Sequence, residues 1–172
     1  IDPKNPIMPE RDRFILSKGH SVEALYAVLE ARGFISHELI DTYGKYNSKL
    51  AGHPTKKTAG VELNSGALGH GLSVGVGMAM GAKMSKKSFK TYVLMGDGEQ
   101  GEGSIYEAAM SASHYKLDNL VAIIDRNTLQ ISGKTETGMA LEPLRDRWEA
   151  FGWEVIDVRG NDLEDICNAF DN

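Results

Sequence analysis

Apolar positions along the chain change period several times, and the changes mark out its elements. From Ser21 to Arg32, positions 25, 28, 29 and 32 repeat at helical spacing, and Gly33 is placed to stop that helix. Ser36 to Tyr43 reads as a second short helix, with Ser36 as its cap and Glu38 early in it. Gly44 to Val61 is polar, carries Gly52, Pro54 and Gly60, and reads as a long loop of the kind that often carries function. Ala67 to Met84 is the most apolar stretch and is expected to form a helix rich in small residues. Thr91–Met95 and Leu120–Asp125 are short apolar runs that predict buried strands, with a helix from Ser104 to Tyr115 between them. A loop, a helix over about 144–151, a third strand from Trp153 to Val158 and a helix from Leu163 to Phe170 complete the reading. That last helix is expected to break off at Asn172. Strands alternating with helices predict an α/β fold, a parallel sheet with helices on both faces. No repeat or low-complexity tract interrupts the pattern.

Composition narrows the class. The 172 residues are 41% hydrophobic and 25% charged, with a net charge of −5, as in an ordinary globular domain. Acids and bases are interspersed, without the basic stripe that nucleic-acid binding requires. The lone Cys167 excludes an internal disulfide and favours a reducing cytoplasm. Pro3, Pro6 and Pro9 make the start read as an extended lead-in, not a signal sequence. The Gly71/Gly75 and Gly77/Gly81 pairs have the spacing of membrane-helix packing motifs. Their stretch contains His70, Ser73 and Lys83 and is too short to span a bilayer, so no membrane partner is expected.

Ligands of open α/β sheets sit outside the carboxyl ends of the strands. The first long strand runs there into Gly96-Asp97-Gly98 and the second into Asp125-Arg126-Asn127. Asp97 and Asn127 would meet, offering a carboxylate and an amide oxygen, hard donors suited to magnesium. Residues 96–101 also match GxGxxG, the dinucleotide fingerprint, so an NAD-type oxidoreductase domain is an alternative. In that site a diphosphate rests on bare N–H groups, and Asp97, Glu99 and Glu102 would crowd it with negative charge. A divalent cation removes the objection. No histidine pair has zinc spacing, and His37, His70 and His114 read as ordinary polar residues, His70 being the open case because of its motif.

Gly96-Asp97-Gly98 followed by Asn127 resembles the thiamine-diphosphate motif. Ser17-Lys18-Gly19-His20 after Arg11-Asp12-Arg13-Phe14, Gly52-His53-Pro54, and Ser65-Gly66-Ala67-Leu68-Gly69-His70-Gly71 resemble transketolases in order and spacing, although the family often has Gln at the position of His70. Deoxyxylulose-phosphate synthases and 2-oxoacid dehydrogenase subunits share fewer of these pieces and remain alternatives, as does a non-catalytic assembly relative.

The resemblance implies that residues 1–172 form one thiamine-diphosphate-binding domain, with the family's domain continuing beyond both ends. It implies that Asp97, Asn127 and the Leu129 carbonyl bind Mg2+, or Ca2+ in its place. Gly96 and Gly98 would lie at the diphosphate and Gly66 and Leu68 against the cofactor rings. Asp125 would orient the metal ligands. His20 would reach the diphosphate and the substrate side, and His53 the hydroxyls of the ketose donor. Glu102 and Glu107 would belong to an acidic network at a dimer interface. The activity implied is ketol transfer between sugar phosphates. The resemblance also implies a pyrimidine-binding domain or C-terminal transketolase subunit as partner, in a homodimer or a heterotetramer.

Overall fold

The computed structural model describes residues 2–131 and 133–171; Ile1 of the expected lead-in and Asn172, where the last helix is expected to break off, lie outside them. Strand β1 (Arg13–Leu16) is followed by helices α1 (Val22–Ala31), α2 (His37–Ile40) and α3 (Gly71–Met84), then by β2 (Thr91–Gly96), α4 (Gly103–His114) and β3 (Leu120–Asp125). A small hairpin, β4 (Leu129–Gln130) and β5 (Gly133–Lys134), leads into α5 (Thr135–Gly138), α6 (Leu144–Ala150) and α7 (Leu163–Asp171). The main sheet has the order β1-β2-β3, and both pairings are parallel.

Strand β2 is central, and its side chains divide the layers. Val93 and Met95 are fully buried in a core that takes Leu72, Val76 and Ala79 from α3, Ile105, Ala108 and Ala109 from α4, and Leu144 and Trp148 from α6. On the opposite face the Tyr92 ring meets Phe170 of α7, with centroids 5.9 Å apart. Helices therefore flank the sheet on both sides, as expected for parallel strands.

The small residues of α3 have a packing reason on one face only. A Cβ on Gly75 would stand 2.6 Å from Val93 Cγ2, so glycine lets the helix lie directly on β2. Gly77 and Gly81 face open space. Among the described residues no helix is long and apolar enough to cross a membrane.

A second, smaller core joins Val22, Tyr26 and Leu29 of α1 to Leu50. Helix α1 ends at Gly33 as its pattern predicts. Gly33 is left-handed (φ 80°), its N–H donates to Glu30, and the Phe34 N–H reaches back to Leu29 at 2.8 Å. This closes the last turn as a Schellman motif. Ser36 caps α2 by accepting the Leu39 N–H.

Two features differ from the pattern-based expectation. The third strand of the sheet is β1, and Trp153–Val158 is neither strand nor helix. Trp153 and Val155 do turn inward against the main core while Glu154 and Ile156 face out. Alternation is present there, but a strand also needs a ladder partner. The loop expected after Asn127 instead folds into β4, β5 and α5.

Candidate active site at the carboxyl ends of the strands

Register brings the sequence motifs together. Gly96 is opposite Asp125, and the Asp97 N–H donates to the Asp125 carbonyl at 3.1 Å. Leu16 is opposite Leu94, and the N–H groups of Ser17 and Lys18 both donate to the Leu94 carbonyl. All three strands run the same way, so Lys18-Gly19-His20, Gly96-Asp97-Gly98 and Asp125-Arg126-Asn127 share one edge of the sheet.

Asp97 is 1% exposed, and both of its oxygens are engaged. Oδ1 accepts the Gly98 N–H at 2.7 Å; Oδ2 accepts the Thr128 N–H at 2.6 Å and a guanidinium N–H of Arg126 at 2.9 Å. The Thr128 bond ties the two turns to each other. Thr128 sits between Asn127 and Leu129 with a left-handed φ of 66°, a strained choice for a β-branched residue. Its N–H on Asp97 and its carbonyl, which accepts the Thr135 N–H, hold it there.

Asn127 is exposed. Its amide nitrogen donates to Asp125 Oδ2 at 3.2 Å and its amide oxygen accepts the Leu129 N–H at 2.9 Å. Asp125 Oδ2 also accepts from Lys18 Nζ at 2.5 Å. Asp125 thus fixes which end of the Asn127 amide presents oxygen, and Lys18 fixes Asp125. No three His, Cys, Asp or Glu side chains gather to hold a metal among the described residues. The oxygen donors on this edge include one buried carboxylate, that of Asp97, and one oriented amide oxygen, that of Asn127. That hard-oxygen set fits a magnesium ion, which fills its remaining positions with water and phosphate. The cation already resting on Asp97 shows that the position favours positive charge.

Arg126 also bonds Thr135 Oγ1, Glu136 and Glu142. Burial draws its guanidinium down, but Glu142 and then Asp97 outweigh this and leave it above its ordinary value. Glu142 is held below the usual carboxylate range, first by the Leu144 N–H and then by Arg126.

The histidines stand across the edge. His20 lies in a short 3-10 turn before α1, and its ring meets that of His53 edge-to-face, centroids 5.2 Å apart. Both are exposed. The loop carrying His53 is anchored by buried Leu50 and by the Tyr26 hydroxyl, which donates to the Ala51 carbonyl at 2.9 Å. Gly66 is required beside it: a Cβ there would stand 2.9 Å from His53 Cδ2. Gly66 and Leu68 are half-buried, and His70 is exposed at the start of α3. Glu102 and Glu107 are exposed at the start and on the outer surface of α4. Gly98 is covered by Gln130, which a Cβ at that position would strike at 2.8 Å.

Glu99 does not crowd the site as its position in the sequence suggests. It turns inward, is 1% exposed, and takes up the N–H groups of Gly69 and Gly96. Residues 98–101 form a 3-10 turn, with α4 beginning later. The GxGxxG match therefore runs into a 3-10 turn whose Gly98 and Gln100 N–H groups are already taken by Asp97, not straight into the helix start that a dinucleotide uses. Ser17, Lys18, Glu99 and Arg126 were given no role at the site from sequence, although Ser17 and Lys18 stood inside one recognised motif and Glu99 inside another.

Comparison with known proteins gives the family. The family described as "Transketolase, thiamine diphosphate binding domain" matches residues 1–172. The chain is 67% identical to an apulose-4-phosphate transketolase subunit of Phocaeicola vulgatus over 168 residues, which is 98% of this chain and 60% of that protein. It is 45% identical to human transketolase over 170 residues, 98% of this chain and 27% of that protein. The crystal structure of transketolase from Campylobacter jejuni superposes with a TM-score of 0.94 at 38% identity, covering 99% of this chain and 28% of that one. The chain thus spans under two thirds of the length of these relatives. It belongs to the transketolase family, and residues 1–172 match that family's thiamine-diphosphate-binding domain.

Proposed function

We propose that this domain holds thiamine diphosphate through Mg2+, or Ca2+ in its place, for ketol transfer between sugar phosphates in the cytoplasm. One observation carries the reading: the register of β1, β2 and β3 sets the Lys18–His20, Asp97 and Asn127 segments side by side at one sheet edge. Asp97, the Asn127 amide oxygen and the Leu129 carbonyl are the metal ligands, with Asp125 orienting Asn127. Gly96 and Gly98 lie at the diphosphate; the Gly98 N–H, now on Asp97, must be shared or released to serve it. Gly66 and Leu68 give the cofactor rings an apolar seat.

When bound, the cofactor supplies the carbanion chemistry that breaks and remakes a carbon–carbon bond next to a carbonyl. The chain supplies orientation. His20 faces the diphosphate and the substrate side. His53, pressed against Gly66, is placed to hydrogen-bond hydroxyls of the ketose donor. The relatives named as transketolase subunits support a second polypeptide as partner. We assign it the pyrimidine-binding role, and Glu102 and Glu107 to the contact between halves, in a homodimer or heterotetramer.

Calorimetry on the full-length protein assembled with that partner tests the reading. Thiamine diphosphate should bind with magnesium and not with a chelator. Equal binding in both conditions, or none in either, removes the proposal.

A further inference from the structure

A buried carboxylate is expensive unless donors surround it. Glu99 is 1% exposed, and three donors from three separate segments converge on it. The Ser17 hydroxyl and the Gly69 N–H (2.9 Å) reach Oε1; the Gly96 N–H (3.1 Å) reaches Oε2. Ser17 is itself 1% exposed, and its oxygen accepts the Gly71 N–H at 3.2 Å. Every one of these donors borders a part of the candidate site. Ser17 precedes Lys18-Gly19-His20, Gly69 follows Gly66 and Leu68, and Gly96 precedes Asp97 and Gly98.

The Ser17–His20 and Gly66–Gly71 segments meet almost without side-chain volume. A Cβ on Gly19 would stand 2.9 Å from the Gly66 nitrogen, and one on Gly71 would strike the Ser17 side chain. Apolar packing cannot set the spacing where backbone lies on backbone. A shared acceptor can, because each N–H must point at the same two oxygens. An apolar side chain of similar size would leave the Ser17 hydroxyl and the Gly69 and Gly96 N–H groups without this acceptor, so the carboxylate ties all three to one point.

We propose that Glu99 is a positioning residue that clips the three cofactor-facing segments at fixed separation. The proposal rests on the cofactor-binding reading of the same site.

Glu99→Gln in the full-length protein, assembled with its partner, tests it. Gln keeps the shape but replaces one acceptor with an amide N–H2, which must face a donor. Calorimetry should show thiamine diphosphate with magnesium binding about 10- to 100-fold more weakly, the usual effect of removing a residue that orients ligands. Leu117→Ala, before β3 at the opposite end of the sheet, should lower the thermal midpoint and leave the cofactor Kd unchanged. Ser17→Ala should weaken binding less, and adding it to Glu99→Gln should give less than the product of the two effects. If Glu99→Gln does not assemble, Ser17→Ala decides by the same comparison with Leu117→Ala. Unchanged Kd in Glu99→Gln, or an equal loss in Leu117→Ala, overturns the positioning role alone. A parent protein that binds no cofactor overturns the functional reading and the clip with it.

Discussion

Arg126 and Asp97 form an ion pair at 2.9 Å in which the carboxylate is 1% exposed and the guanidinium about a quarter exposed. The acid assigned to the metal therefore has a resident cation, and that cation also holds Glu136 and Glu142. Arg126 links the Asp97 turn to residues 135–142. Arg126→Leu leaves a buried carboxylate with one donor fewer and releases that segment. The expected loss is about 1–3 kcal/mol, the usual effect of orphaning a buried polar group. Urea denaturation checks it, and magnesium with cofactor should restore more stability to the variant than to the parent.

Asn127→Ala removes the amide oxygen, and Asp125→Ala removes the acceptor that orients it. We expect the first to abolish magnesium-dependent cofactor binding and the second to weaken it by about 10- to 100-fold. Calorimetry with and without magnesium gives both numbers. An Asn127→Ala protein with parental affinity would falsify the metal assignment.

His53 rests on Gly66 and meets the His20 ring. His53→Ala is expected to lower turnover or raise the KM for the donor sugar, with cofactor affinity nearly intact. Gly66→Ala should act in the same direction, because its Cβ displaces the His53 ring. Steady-state kinetics over several donors, beside a cofactor titration, separates the two effects. A matching loss of cofactor affinity in His53→Ala would move that residue to the diphosphate side.

What could be read from sequence, and what could not, follows from the range of each signal. The strands β2 and β3, the stop at Gly33 and the Ser36 cap depend on neighbours a few positions away, so their patterns are local. Strand β1 is four residues long and starts with Arg13, whose guanidinium stacks on Phe89 at 4.4 Å. Such a segment looks like part of a charged motif. Trp153–Val158 has the alternation of a strand, but alternation does not say whether a neighbouring ladder exists. The meeting of the Asp97 and Asn127 turns was legible because parallel strands place their carboxyl ends together. Glu99 was not, since its donors lie 82, 30 and 3 residues away and only the folded chain shows it turned inward.

The Glu142 contact predicts a pH dependence with a definite sign. Its folded pKa is depressed below the ordinary 4.5, first by the Leu144 N–H and then by Arg126. The stabilisation is complete above the ordinary value and is lost as pH falls through the lower folded value. Glu142 is more than half exposed, so the effect should stay within about 1 kcal/mol. Parent and Glu142→Gln should differ in urea at neutral pH and converge in acid, below the depressed value. A gap that widens in acid contradicts the assignment.

The cofactor itself should stabilise the assembled protein by mass action. A ligand at a hundred times its Kd adds about 2.7 kcal/mol to the folded state. For a domain of this size each kcal/mol moves the midpoint by roughly 2–4 °C, so a rise of roughly 5–11 °C is expected. The rise should require magnesium, because the diphosphate otherwise faces Asp97 without the ion that joins them. It should also require the partner, since the residues described here form only one side of the cofactor site under the proposed reading. Differential scanning fluorimetry with cofactor alone, with magnesium, and with a chelator measures all three conditions. A full shift in the chelated sample would show that the Asp97 edge does not act through a metal.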